Sequence, residues 1–501
     1  MLTRRTFLKA SLLTALGPSL VAKRLEAQTS GTWVNDVHSQ LNPTKVLDVL
    51  QPSSIAEVQE AIRSAQSKRR LLSVAGARHA AGGQQFASGE PLLDMSRMNR
   101  IRGLDHDRGT VEAEAGITWP ELEAHLVREQ RGKASRWCVA QKQGVPLMSL
   151  GGTLSANAHG NTFGRGPIIS DVESFQLVDA RGRVLPCSRT EHPDLFRLAI
   201  GGYGLFGVIT SIRLQLVRAR MMKSVAELVR TQDIPSVFEQ RRAAGMLNGE
   251  FQFVTDSGSG GFLRSGILLG SVPATSDSVP GSPETALTDA EWLKLVGLAH
   301  VRPGAAFDLY SKRFLASAGR VAWSDDPPRD VVYVPGYHQS LDRQSGAEAA
   351  SSEVLMEFFM PRDRVPEFME QARSYFLEAG TQVIFGTIRF CERDAEAFLS
   401  WASEPRGCVV FNLHTLHTSE GIAATEKAFR RLVDIVLSLH GTYYLTYNRF
   451  ATAEQVERCY PKFREFLRQK LVWDPEERFQ SDWYRYYKEA FAGSGHPPSH
   501  G

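Results

Sequence analysis

The stretch Val74-Ala75-Gly76-Ala77-Arg78-His79-Ala80-Ala81-Gly82-Gly83-Gln84-Gln85-Phe86 decides the reading of this 501-residue chain. An apolar run, Leu71-Leu72-Ser73-Val74, leads into it and reads as a buried strand. Gly76, Gly82 and Gly83 then let the backbone fold tightly, with N–H groups free to face an anion. His79 sits in the middle. One such turn is a weak signal, but a second occurs at 149–160 and a third at 201–207.

The second turn is Ser149-Leu150-Gly151-Gly152-Thr153-Leu154-Ser155-Ala156-Asn157-Ala158-His159-Gly160. Its small residues permit close backbone approach, and its N–H groups, the Ser149 hydroxyl and Asn157 offer ligands to a pyrophosphate. A small-residue helix packed on a sheet is the alternative for this stretch alone. The third, Gly201-Gly202-Tyr203-Gly204-Leu205-Phe206-Gly207, contains a formal GxGxxG. The residues after it alternate as a strand, whereas the dinucleotide fingerprint needs a following helix. It reads as a tight turn against a bound group. Three such turns together favour an extended phosphate-bearing cofactor.

The net charge of +3, with scattered basic residues, does not suggest a nucleic-acid partner. The five cysteines (138, 187, 391, 408, 459) show no CxxC pairing and no zinc spacing, so no metal is expected and most read as buried thiols. Thr3-Arg4-Arg5-Thr6-Phe7-Leu8-Lys9, followed by an apolar stretch from Ala10 to Ala22, reads as a twin-arginine export signal over 1–28. That implies export machinery as a partner, a periplasmic or secreted destination and no stable membrane span after cleavage.

Ser54-Ile55-Ala56-Glu57 reads as a capping box opening a helix with Ile55, Val58 and Ile62 on one face. Thr118-Trp119-Pro120-Glu121 opens another. Segments 170–178 and 184–187, around Asp179-Ala180-Arg181-Gly182, predict a hairpin, and 208–217 a strand. Ser257 to Glu284, rich in Ser, Gly and Pro, reads as a mobile surface excursion. Beyond it, strands are expected at 354–359, 382–390, 409–413 and 442–447, and amphipathic helices at 364–377 and 423–439. The class is α+β.

The order of VAGARHAAGGQQF, SLGGTLSANAHGNTFG, ISDVESFQLVDARGRVLPCS and DLFRLAIGGYGLFGVITSI over roughly 45–217 resembles the flavin-binding domain of the vanillyl-alcohol-oxidase (PCMH-type) superfamily. Residues 350–488 resemble, more loosely, the aldonolactone and alditol oxidases and the decaprenylphosphoryl-ribose oxidases. The resemblance implies a two-subdomain FAD-binding domain over 41–219 and an α+β substrate domain on an antiparallel sheet over 220–449. A C-terminal segment over 450–490 would return to the FAD domain. It implies FAD held by Ala75, Gly76, Ala77, Arg78, His79, Ala80, Gly82, Gly83 and Gln84 of the first turn. Gly144, Ser149, Leu150, Gly151, Gly152, Ala156, Asn157, His159, Ile209 and Tyr444 complete the expected contacts.

His79 falls where the sugar-alcohol and lactone oxidases place a histidine bonded to the flavin 8α-methyl carbon. The alternative is a noncovalent contact, as in the decaprenylphosphoryl-ribose oxidases, which lack this histidine. The implied activity is oxidation of a C–OH group of a sugar, polyol, lactone or glycolipid by hydride transfer to flavin N5, with O2 or another acceptor taking the electrons. Oxidation of a phenol or amine, and a non-catalytic flavin electron carrier, are the rivals. The chain departs from the family at two positions: Tyr447 stands where a lysine is usual, and Thr387 replaces the glutamate of a Glu-x-Arg pair that keeps Arg389. The candidates for proton handling and substrate orientation are therefore Arg389, Tyr447, His414, His417 and Glu357.

Overall fold

The computed structural model describes residues 31–133, 135–141, 147–275, 287–325, 334 and 336–492. The export signal, Gly144 and the 276–284 part of the Ser/Gly-rich segment lie outside them. Ser54 accepts a hydrogen bond from the Glu57 amide and starts helix α1 (Ile55–Ser67), which buries Val58, Ile62 and Ala65. Glu57 reaches back to the Ser53 amide (2.8 Å), so the box closes one residue earlier than expected. Strands β1 (Val49–Leu50), β2 (Ser73–Ala75) and β3 (Leu92–Asp94) make a parallel sheet in the order β1-β3-β2, and the first glycine turn leaves the end of β2.

A five-stranded antiparallel sheet follows. It comprises β4 (Ile101–Asp105), β5 (Thr110–Glu114), β6 (Val172–Val178), β7 (Val184–Ser188) and β8 (Val208–Gln215), in the order β7-β6-β8-β5-β4. The hairpin β6–β7 and the strand after the third glycine turn are both present. Helix α2 (Trp119–Glu129) opens on the Thr118–Glu121 capping box. The second glycine turn forms a short helix, α3 (Leu150–Ser155), capped by Ser149.

An eight-stranded antiparallel sheet forms the second half of the molecule. Its strands are β9 (Met221–Arg230), β10 (Asn248–Phe253), β11 (Ser265–Pro273), β12 (Val321–Trp323), β13 (Ser351–Pro361), β14 (Val383–Cys391), β15 (Arg406–Leu416) and β16 (Thr442–Tyr443). The spatial order is β12-β9-β11-β10-β14-β15-β13-β16. One face packs on helices α7 (Val365–Ala379) and α8 (Ser419–Ser438) through Phe358, Phe368, Phe411 and Phe429. Helices α4 (Asp289–Val301), α5 (Pro303–Ser317) and α6 (Tyr337–Ser345) enter between β11 and β13 in the chain.

Two expectations are corrected. The segment read as a surface excursion contains β11, an interior strand of the large sheet; Ile267-Leu268 is fully buried, and the flanking Ser and Gly had masked this short apolar run. The expected strand over 442–447 pairs only at Thr442 and Tyr443. Residues 444–447 then leave the sheet to meet the first glycine turn, where Ala81 N–H donates to the Thr446 carbonyl (2.9 Å) and the Gln84 amide to that of Leu445 (2.7 Å). All five cysteines are free and buried. No helix of the described residues is long and apolar enough to cross a membrane.

The C-terminal segment closes the molecule onto the first domain. Helix α9 (Phe463–Trp473) carries Lys470, fully buried and paired with buried Asp474. Asp474 also accepts from the Arg478 and Phe479 amides at 2.9 and 2.8 Å. That turn aims 478–482 at the first domain, where Leu72 N–H donates to Arg478 O (2.7 Å) and Asp482 N–H to Phe86 O (2.7 Å). Helix α10 (Asp482–Ala492) follows. Removing one partner of a buried pair leaves the other charge desolvated, which costs about 3–5 kcal/mol. Lys470→Ala is therefore expected to lower the thermal unfolding midpoint markedly, as read by calorimetry.

Candidate active site

Period-2 alternation puts Leu355 and Glu357 of β13, Phe385, Thr387 and Arg389 of β14, and Val410 and Asn412 of β15 on the sheet face away from α7 and α8. That face and the glycine turns enclose one cavity of about 570 Å³, within the range of cofactor and small-molecule sites. Its walls on the first-domain side include Ala77, Arg78, His79, Ala80, Gln84, Ser149, Gly152, Ala156, His159, Tyr203 and Gly204. Trp292, Tyr310 and Trp323 also line it.

The two nearer turns are pinned to each other through Ser149. Its hydroxyl accepts from the Ala77 and Gly152 amides, each at 3.3 Å. A Cβ at Gly76 would lie 2.0 Å from the Ser149 Oγ, so only glycine lets the turns approach. In the third turn Gly204, at φ +74, brings the backbone to the cavity wall. Among the described lining residues, four buried polar atoms have no hydrogen-bond partner: Gln85 Oε1, Asn161 Oδ1, Trp292 Nε1 and Thr387 Oγ1. Orphaned groups at a glycine-lined cavity fit a polar, extended cofactor and an oxygen-bearing substrate.

His159 Nδ1 lies 3.0 Å from the Gly160 carbonyl, which can only accept, and its Nε2 lies 2.7 Å from Glu357 Oε1. Burial alone would lower the His159 pKa, but the Glu357 carboxylate overrides it and pushes it up to about 9. Tyr447 donates to the other oxygen of Glu357 (3.3 Å). Burial and Glu357 together push the Tyr447 phenol well above its ordinary value, so it stays protonated at neutral pH. The guanidinium of Arg389 meets Glu250 Oε2 at 3.2 Å; burial opposes its charge, while Glu250 and Glu357 hold it.

His79 Nδ1 lies 2.8 Å from His38 Nε2, and burial lowers the His79 pKa to about 4, so its imidazole is neutral. His38 was not legible beforehand, since it sits alone in Asp36-Val37-His38-Ser39. Glu250 was also missed, because its partner Arg389 is distant in sequence.

Other expected residues sit elsewhere. Leu150 and Gly151 spend their amides on the Ile117 and Ala115 carbonyls (2.8 and 2.7 Å), so these N–H groups are not free for a phosphate. Asn157 points its amide at Asp394 (2.8 Å) and serves as a tie between the domains. Ile209 of β8 pairs with Leu177 of β6. Ala75, Gly76, Gly82 and Gly83 shape the turn behind the wall, while Tyr444 lines the cavity and donates to the Ala156 carbonyl (2.8 Å). His414 and His417 do not line the cavity. His414 continues the same sheet face beyond it, 3.7 Å from Glu353, and His417 turns to Ser352 Oγ (2.9 Å).

Comparison with known proteins places an FAD binding domain at residues 47–188 and a D-arabinono-1,4-lactone oxidase domain at 348–487. Similar proteins include a putative D-arabinono-1,4-lactone oxidase of Neurospora crassa, 29% identical over 34% of this chain and 29% of its own length. The L-gulonolactone oxidase of Mus musculus is 29% identical over 33% of this chain and 36% of its own length. Cytokinin dehydrogenase 2 of Arabidopsis thaliana is 25% identical over 58% of this chain and 54% of its own length. The match thus spans about a third of the first two relatives and about half of the third.

His159 binds its proton more tightly folded than unfolded. The stability this lends is fully present below about pH 6.5 and is lost as pH rises through about 9. The thermal midpoint is expected to fall between these values, and Glu357→Gln should flatten that dependence; calorimetry across the pH range checks it.

Proposed function

We propose that this chain, a member of the PCMH-type FAD-linked oxidoreductases with an aldonolactone-oxidase C-terminal domain, oxidises a C–OH group of a sugar, polyol, lactone or glycolipid. The observation that carries this reading is the single cavity running from His79 and Ser149 to Glu357 and Arg389. Bound FAD supplies a two-electron acceptor for the hydride that leaves a carbon bearing oxygen. The turns around Ala77–Ala80 and Ser149–Gly152 would hold it, and the neutral imidazole of His79 would be the nucleophile for a covalent attachment.

Glu357 takes the substrate hydroxyl proton. Tyr447 is a protonated phenol and cannot, and His414 and His417 do not reach the cavity. His159 and Tyr447 each occupy one lone pair of the Glu357 carboxylate, which fixes its orientation and leaves acceptor capacity on both oxygens. Arg389, oriented by Glu250, binds a substrate oxygen and supplies positive charge beside developing negative charge. The free Thr387 hydroxyl offers a further contact. Export by the twin-arginine route is part of this proposal and rests on Arg4-Arg5-Thr6-Phe7-Leu8-Lys9. A second reading, oxidation of a phenolic or amine substrate, draws on the aromatic side chains Trp292, Tyr310 and Trp323 in the cavity lining.

Steady-state turnover of the flavin-loaded protein on aldonolactones, polyols, phenols and amines separates the two. The first group should turn over, and Glu357→Gln should lower kcat by about 10²–10⁴ without loss of flavin. An undiminished kcat in Glu357→Gln contradicts the assignment. Acid precipitation of the wild type should leave yellow in the pellet, and His79→Ala should release it to the supernatant.

A further inference from the structure

A second histidine–carboxylate cluster lies on the same face of β13, four residues before Glu357. Glu353 is buried and stands opposite His414 of β15 in the sheet register. Its Oε1 lies 2.6 Å from His300 Nε2 of α4 and 3.7 Å from His414 Nδ1. Its Oε2 lies 3.0 Å from His338 Nδ1 of α6 and accepts from the Tyr337 hydroxyl. No part of the flavin reading uses these groups.

The tautomer of His300 follows from its partners. Its Nδ1 lies 2.8 Å from the Val296 carbonyl, which can only accept, so Nδ1 carries the hydrogen. In the neutral ring Nε2 is then a lone pair facing a carboxylate lone pair. One proton on His300 relieves that contact alone. His414 Nδ1, 3.7 Å from Glu353 Oε1, still lacks a hydrogen bond. A divalent cation satisfies the converging lone pairs together.

We propose that His300, Glu353 and His414 form a binding site for a divalent transition-metal ion of the Zn2+ class. Their three donor atoms all lie within 4.8 Å of one another. At ligand distances of about 2.0–2.2 Å a tetrahedral ion needs its donors roughly 3.3–3.5 Å apart, so the required adjustments are at most about 1.5 Å, within the reach of side-chain rotation. Two histidines and one carboxylate match the donor set of open zinc sites, which leave a position for water.

The surroundings are those of a built site. The Val296 carbonyl fixes one imidazole, and Tyr337 and His338 hold the free oxygen of the carboxylate. Gln382 ties both histidine backbones, donating to the His300 carbonyl (2.8 Å) and accepting from His414 N–H (3.1 Å). The His414 side chain is 24% exposed, which gives the ion a path from solvent. Cysteine and histidine spacing gave no hint, because the ligands come from residues 300, 353 and 414 and meet only in the folded sheet. The site clamps α4 to the two strands that carry Glu357 and Asn412 of the cavity.

The test uses the full-length, flavin-loaded protein, stripped with EDTA, dialysed and titrated with Co2+. The expected result is a visible d–d band in the difference spectrum, saturating at about one equivalent and displaced by Zn2+. His300→Ala and His414→Gln should each weaken Co2+ binding at least tenfold, while His125→Gln on α2 leaves it unchanged. No saturable band in the wild type, or a band that survives in both cluster variants, overturns the proposal. A measurement without variants guards against misfolding: Zn2+ should raise the wild-type thermal midpoint above its value in EDTA, and an unchanged midpoint also overturns it.

Discussion

A buried ion pair, His159 to Glu357, joins the cofactor-side domain to the sheet that faces it, and the site exists because the pair forms. Taking both groups out of water is costly, and only close geometry with the remaining hydrogen-bonding capacity filled repays it. Here the Gly160 carbonyl fills the far nitrogen of the imidazole and Tyr447 the far oxygen of the carboxylate. The same interface is stitched by Asn157 to Asp394, by the Trp401 indole to the Asn157 carbonyl (3.1 Å) and by Ser352 to the Ser39 carbonyl (2.6 Å). Docking of the domains and assembly of the polar constellation are therefore one event.

Strand periodicity distributes the chemistry. Glu353 and Glu357 share one face of β13, and Thr387 and Arg389 share one face of β14. The opposite face carries Val354, Met356 and Phe358, which are fully buried in the apolar core. A register slip of one residue would move both carboxylates into that core, so packing of the phenylalanine cluster against α7 and α8 also fixes where the charges point.

The α+β class, the capping boxes, the β6–β7 hairpin and the strand after the third glycine turn were legible because each is a local pattern. The glycine turns were legible for the same reason, and they shape the cavity walls. What escaped was nonlocal. The His38–His79 contact and the Glu250–Arg389 pair join residues with no motif between them. The amides of Leu150 and Gly151 read as available, but the Ile117 and Ala115 carbonyls just after β5 accept from them. His414 lies near the end of β15 and His417 just past it, and that end of the strand runs beyond the cavity. Strand β11 hid behind serine- and glycine-rich flanks, since composition averages out a run as short as Ile267-Leu268-Leu269.

In the proposed reaction Glu357 and Arg389 present a C–OH group to a flavin held by the glycine turns. Anaerobic mixing of the purified holoprotein with a panel of aldonolactones and polyols, followed by flavin absorbance, tests it most directly. Rapid bleaching by a member of that panel is expected in the wild type, and strongly slowed bleaching in Glu357→Gln. A bound flavin that no C–OH donor bleaches, or one bleached equally fast in both proteins, would contradict it.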